Sequence, residues 1–185
     1  MKSGWKFMLA GICWTAAAQG ATLQNVVLPQ SSIRFVSHQM GVAVPGHFAR
    51  FTARVHFDPA AAHNGMASIA VDTASADAGG NEVDATLRSS QWFDSQHWPQ
   101  ATFVSTALTA LGGARYQASG LLTIKGKSHP VTVPFVLENM PGGLTALNGT
   151  IAISRAQWGI GAGEWADPSV VADVVQVQFH IVVKP

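Results

Sequence analysis

Val174-Val175-Gln176-Val177-Gln178-Phe179-His180-Ile181-Val182-Val183 sets Val175, Val177, Phe179, Ile181 and Val183 on one face of an extended chain. Val174, Gln176, Gln178, His180 and Val182 fall on the other. A period of two is the mark of a half-buried strand, because successive strand side chains point to opposite faces. The run is also rich in β-branched residues, which suit a pleated surface, and it predicts a strand over residues 170–183. The same period recurs upstream. Across residues 50–57, Phe51, Ala53, Val55 and Phe57 alternate with Arg50, Thr52, Arg54 and His56, and Asp58-Pro59 stops the run. Residues 68–72 repeat the pattern with Ile69 and Val71.

Further strands follow from composition and turn signals. Residues 32–38 predict a first strand. Residues 101–111 are rich in Thr, Val and Phe, and Gly112-Gly113 turns them into a hairpin partner at 115–124. Lys125-Gly126-Lys127 turns the chain into 131–137, and Pro141-Gly142-Gly143 into 144–154. Pro134 inside a strand points to an edge or a bulge, since proline cannot donate to a ladder. One segment breaks the rhythm. Asn81-Glu82-Val83-Asp84-Ala85-Thr86-Leu87-Arg88 follows Gly79-Gly80, begins with a capping residue and predicts a short helix. The class is therefore all-β with one short helix. About eight strands leave two economical architectures, a sandwich and a closed antiparallel barrel. A barrel of that size has room inside for one small ligand.

The chain has 185 residues, which suits one domain, and only 11% of them are charged. The 11 Lys+Arg against 10 Asp+Glu give a formal charge of +1 and no basic footprint for nucleic acid. Residues 1–20 differ from the rest. Lys2 and Lys6 precede the apolar run from Phe7 to Trp14, and small residues from Thr15 to Ala21 follow. That order predicts a signal peptide cut after Ala18 or Gly20, leaving residues 21–185 as the mature domain. The apolar run falls short of the ~20 residues a spanning helix needs. Ile12 before Cys13 argues against a lipoprotein signal. Cleavage would remove the single cysteine and leave nine basic residues against 10 acidic ones. The chain then suits an oxidising compartment without using disulfide chemistry.

Familiar catalytic constellations are missing. From Gly120 to Ser128 the chain resembles a phosphate loop, but five residues separate Gly120 from Gly126 where the motif needs four, and a strand follows where the motif needs a helix. Gly159-Ile160-Gly161-Ala162-Gly163 lacks dinucleotide spacing and predicts a flexible loop. The seven histidines form no H-E-x-x-H pair, and His38, His47 and His56, nine apart, fix no shared face. No G-x-S-x-G elbow is present. Glu82 and Asp84, two apart on a helix, do not face together. These absences predict no metal, no cofactor and no enzyme. The aromatics have two readings. Trp92-Phe93, Trp98, Trp158 and Trp165 either pack the core and loops or rim a cavity mouth.

Several segments, taken in order, resemble the YceI-like family of lipid- and polyisoprenoid-binding secreted bacterial proteins. They are Met40-Gly41-Val42 with Gly46-His47-Phe48, then Phe57-Asp58-Pro59, then Asp84-Ala85-Thr86-Leu87-Arg88-Ser89 with Trp92-Phe93-Asp94. Trp98-Pro99-Gln100-Ala101-Thr102-Phe103 follows, then Gly120-Leu121-Leu122-Thr123-Ile124-Lys125-Gly126, Ser154-Arg155 with Trp158-Gly159, and the closing strand. The resemblance implies an eight-stranded antiparallel lipocalin-like barrel with one helix inserted after the third strand. It implies a long isoprenoid or acyl tail held inside, by a binding protein and not an enzyme. Three positions depart from the family's habit. Relatives often carry Arg, His and His where this chain has Val83, Thr86 and Gln39.

The resulting expectation is a periplasmic carrier that sequesters a long-chain apolar amphiphile such as a polyisoprenoid, quinone or fatty acid derivative. Candidate lining residues are Phe35, Met40, Phe48, Phe51 and Val55, with Trp92, Phe93, Phe103, Leu122 and Phe135. Candidate polar contacts at the mouth are His38, His47 and Arg155. The alternative is a packed, stress-related structural or interaction module that carries nothing; a hollow interior would favour the carrier. A homodimer is compatible with an edge-poor barrel, although no residue marks its interface.

Overall fold

The computed structural model describes residues 22–185. The predicted signal peptide, 1–20, lies outside them. Eleven strands and one α-helix follow in chain order: β1 (Asn25–Val26), β2 (Ser32–Gln39), β3 (Val42–Phe48), β4 (Phe51–His56), β5 (Met66–Asp72), β6 (Ala76–Asp77), α1 (Asn81–Arg88), β7 (Gln100–Gly112), β8 (Arg115–Ile124), β9 (Lys127–Met140), β10 (Leu144–Ser154) and β11 (Val174–Lys184). All pair in one antiparallel sheet of order β4-β5-β7-β8-β9-β10-β11-β2-β3-β6, with β1 added to β11.

The sheet curls until β4 and β3 face each other across a seam. The two ends of that seam are fastened by short pieces. Leu23 and Phe57 exchange backbone hydrogen bonds of 2.8 and 3.0 Å, which ties β4 to the strand that also pairs with β11. At the other end, β6 pairs with His47 and Phe48, and the Arg50 N–H donates to Ser75 Oγ at 3.0 Å. The lipocalin-like all-β class is as expected. The number of strands is not. Nine strands of six residues or more replace the expected eight, and the additional one is β3. Its Pro45-Gly46 is a dipeptide that commonly marks turns, and no strand is expected there. In the fold, Gly46 lies under the ring of Phe35, its registered partner on β2.

Local rules explain the other elements. Helix α1 spans the predicted residues, but its N-cap is Gly80 and not Asn81. Asp84 Oδ1 instead ties the preceding segment to the helix, accepting from the Ala78 N–H at 2.8 Å. The segment resembling a phosphate loop is the β8–β9 hairpin, with Ile124 paired to Lys127 across a turn whose central residues have φ of 50° and 71°. Positive φ at both central positions matches the twist of the flanking strands.

Pro134 sits where β9 parts from β10. The β9–β10 ladder runs from Met140 to Phe135 and ends there. Leu137 donates towards the β7–β8 turn, at Ala114 O, so the even-numbered residues of β9 direct their backbone groups to β10. Pro130 and Pro134 therefore remove two donors from the same edge. The strands splay, and β10 continues to Ser154 paired only with β11.

One end of the barrel is plugged. Phe57 is fully buried there, with ring centroids 5.0 Å from Tyr116 and 5.9 Å from Phe135. Val182 belongs to the outward set of β11 yet is also fully buried. Residues 27–31 cover it, with the Val182 N–H donating to Ser31 Oγ at 2.9 Å.

Candidate functional site

The inward faces of β2, β3, β4, β5, β7, β8, β9, β10 and β11 enclose a cavity of about 360 Å³. Its walls are apolar almost throughout: Ile33, Val55, Ile69, Leu122, Val133 and Ile151 are typical. Along β11 the lining runs from Val175 to Ile181, six steps, or about 20 Å at the rise of a strand. The cavity is thus long, narrow and blind at the aromatic plug.

The open end is framed by three pieces. Helix α1 contributes Val83, Thr86 and Leu87. The segment after it contributes Trp92 and Phe93, and residues 155–173 contribute Ile160, Trp165 and Val171. These pieces are joined to each other. The N–H groups of Gly161 and Ala162 both donate to Gln91 O, at 2.8 and 2.9 Å. The rings of Trp92 and Trp165 meet edge to face at 5.8 Å. Lys125 Nζ donates to Ser90 O at 2.6 Å and Gly159 O at 3.2 Å. Burial lowers the pKa of that ammonium, and the charge of Asp94 opposes the shift.

Arg155 is 3% exposed and lines this end. Its five N–H donors are all used on main-chain carbonyls: Ala172 by Nε, Ile160 and Gly161 by one terminal nitrogen, Trp165 and Val171 by the other, at 2.6–3.1 Å. Burial draws its pKa down and the charge of Asp173 pushes back. Asp173 in turn is held below the ordinary carboxylate range, first by a hydrogen bond from Ser154. The predicted flexible glycine loop is consequently fastened, with this guanidinium as its clamp.

Nine of the sequence-predicted residues do line the cavity: Phe35, Phe48, Val55, Trp92, Phe93, Phe103, Leu122, Phe135 and Arg155. Four are not among its lining. Met40 stands 72% exposed at the β2–β3 turn. His38 and His47 alternate with the inward residues of their strands and point away. Phe51 shares the inward face of β4 but packs against the core. Of the aromatics considered for a rim, Trp92, Phe93 and Trp165 line the mouth, while Trp98 and Trp158 do not. Trp158 is 1% exposed, donates to Leu122 O and packs edge to face on His129.

The polar lining residues of β2 overlooked in sequence are Ser37 and Gln39. Their signal was present: they continue the inward series Ile33, Phe35 of β2. Val83 and Thr86 also reach the cavity, so with Gln39 all three positions that depart from the resembled family line it. Among the described residues, two buried side-chain polar atoms have no hydrogen-bond partner, Ser95 Oγ and Trp92 Nε1. No cluster of three or more His, Cys, Asp or Glu side chains that could hold a metal occurs among the described residues.

Comparison with known proteins agrees with this architecture. Residues 25–183 match the YceI-like domain. The chain belongs to the YceI-like family. Its YceI-like domain is similar to BcnA of Burkholderia cenocepacia, whose crystal structure superposes with a TM-score of 0.82 at 43% identity, covering 85% of this chain and 99% of that one. A polyisoprenoid-binding domain from Saccharophagus degradans shares the fold at 16% identity, with a TM-score of 0.67 over 90% of this chain and 99% of that one. A UPF0312 protein of Vibrio cholerae is 27% identical over 155 residues, 79% of this chain and 82% of its own length.

Proposed function

We propose that this YceI-like protein is a periplasmic carrier that sequesters one long-chain amphiphile, a polyisoprenoid, quinone or fatty acid derivative, inside the curled sheet. The observation that carries the reading is the hollow, blind, apolar cavity of about 360 Å³. That volume lies within the usual range for small-molecule sites, which join apolar walls to a few placed polar groups. Each CH₂ of a tail moved from water into it gains about 0.8 kcal/mol before ordering costs. The likeness to the Saccharophagus degradans polyisoprenoid-binding domain supports the same chemistry. The chain acts by binding and not by catalysis: the one ionisable side chain in the lining, Arg155, has every donor committed to the backbone. The head group is uncharged. Gln39, Ser37 and Thr86 offer neutral polar contacts, and an acceptor on the head would satisfy the free Trp92 N–H. The secretory pattern of residues 1–20 supports the periplasmic placement.

The test is native mass spectrometry of the protein released gently from the periplasm, followed by organic extraction. A stoichiometric adduct that extracts as a prenyl or acyl species is expected. A bare mass, together with no binding of added isoprenoid alcohols and fatty alcohols, would overturn the carrier reading in favour of a non-binding interaction module. Absence of the protein from the periplasmic fraction would overturn the placement alone.

A further inference from the structure

Three phenylalanines lie against glycines on the inner wall. Phe35 on β2 covers Gly46 on β3, Phe103 on β7 covers Gly120 on β8, and Phe179 on β11 covers Gly149 on β10. Phe35 with Gly46, and Phe179 with Gly149, are direct cross-strand partners, while Phe103 sits diagonally to Gly120. A Cβ added at Gly120 would collide first with Val104 O and stand 2.8 Å from Cε2 of Phe103, and one at Gly46 or Gly149 would collide first with the ring beside it. Each ring therefore occupies the space that its neighbour's side chain would have taken.

The consequence is a matter of volume. A phenylalanine facing a residue with a Cβ is pushed off the wall and into the lumen. Beside a glycine it lies flat and presents only the thickness of its ring. All three of these rings line the cavity. Their strands lie on opposite sides of it: β11 and β2 are neighbours, and β7 stands four strands from β11 in the sheet order. The lumen is thus widened from both sides. A straight polymethylene chain leaves gaps in such a bore, and each gap forfeits dispersion contacts. A chain with regularly spaced methyl branches fills them.

Resting on the carrier reading, we propose that the pairs Phe35–Gly46, Phe103–Gly120 and Phe179–Gly149 set the bore of the cavity and make it select methyl-branched isoprenoid chains over straight acyl chains. The probes are geranylgeraniol and hexadecan-1-ol, which share one main-chain length and one head group. The wild-type protein is expected to prefer geranylgeraniol. The variants Gly46→Ala and Gly149→Ala push a ring inward, and the geranylgeraniol:hexadecan-1-ol affinity ratio should fall about tenfold, the scale of one misfitted methyl-sized group. The added Cβ at these glycines also approaches a neighbouring carbonyl, at 2.8 Å for Asp77 O beside Gly46 and 2.5 Å for Pro134 O beside Gly149. Should that unfold the variants, Phe179→Ala gives the opposite movement: the bore widens and the ratio rises. An unchanged ratio in any folded variant, or a wild-type preference for hexadecan-1-ol, overturns the assignment. A wild type that binds neither alcohol marks the failure of the carrier reading itself, and this inference falls with it.

Discussion

Arg155 shows how one residue can be placed correctly from sequence and still have its role misjudged. The sequence reading offers it as a polar contact at the mouth, and it does line the mouth. Its guanidinium is nonetheless spent on five carbonyls of residues 160–172. Cutting the side chain back to Arg155→Met leaves those buried acceptors without donors. The expected cost is about 3 kcal/mol of unfolding free energy in urea titrations, because an unsatisfied buried polar group costs more than its hydrogen bond contributed. Arg155→Lys should recover little, since an ammonium cannot reproduce the planar fork. A loss below 1 kcal/mol in Arg155→Met would mean that the loop is held by the tryptophans instead. The same residue scale explains His38 and His47. Strand parity turns both outward, and for His38 that parity was readable once Phe35 was set inward.

At the scale of elements, the hairpins were legible because their turns announce themselves. Gly112-Gly113, Lys125-Gly126-Lys127 and Pro141-Gly142-Gly143 each join strands where expected. Strand β3 was not legible, because Pro45 and Gly46 imitate a turn while tertiary contacts hold them in a ladder. The prolines of β9 carry a separate expectation. Replacing both, Pro130→Val with Pro134→Val, restores two donors towards β10 and should lengthen the β9–β10 ladder. Hydrogen exchange at Ala152 and Ser154 should then slow by at least tenfold, about 1.4 kcal/mol of added protection. Unchanged exchange would mean that the missing donors are not what parts the two strands.

At the scale of the whole molecule, the choice between carrier and packed module is a question of empty space. Filling that space is the direct test. Leu122→Trp adds an indole to the lumen from the inward face of β8. Isoprenoid alcohol affinity should fall at least 100-fold, while thermal stability holds or rises because the indole occupies existing void and creates no new strain. Full affinity in a stable Leu122→Trp protein would place the ligand elsewhere.

Composition, period-two patterning and turn residues by themselves determined the all-β class, the inward face of most strands and the position of helix α1. Those properties are local: they depend on which neighbours along the chain are apolar and where the backbone can reverse. Of the candidate residues that line the cavity, Phe35, Val55, Phe103, Leu122 and Phe135 stand on the inward face of strands that were legible in the sequence. Only the tertiary structure decided that the sheet curls into a barrel with a fastened seam, that its interior is hollow, and that Arg155 serves the loop. The reason is physical. Hollowness depends on how large side chains from distant strands share one volume, and a phenylalanine reads the same in sequence whether it fills the lumen or lies flat against a glycine on the next strand.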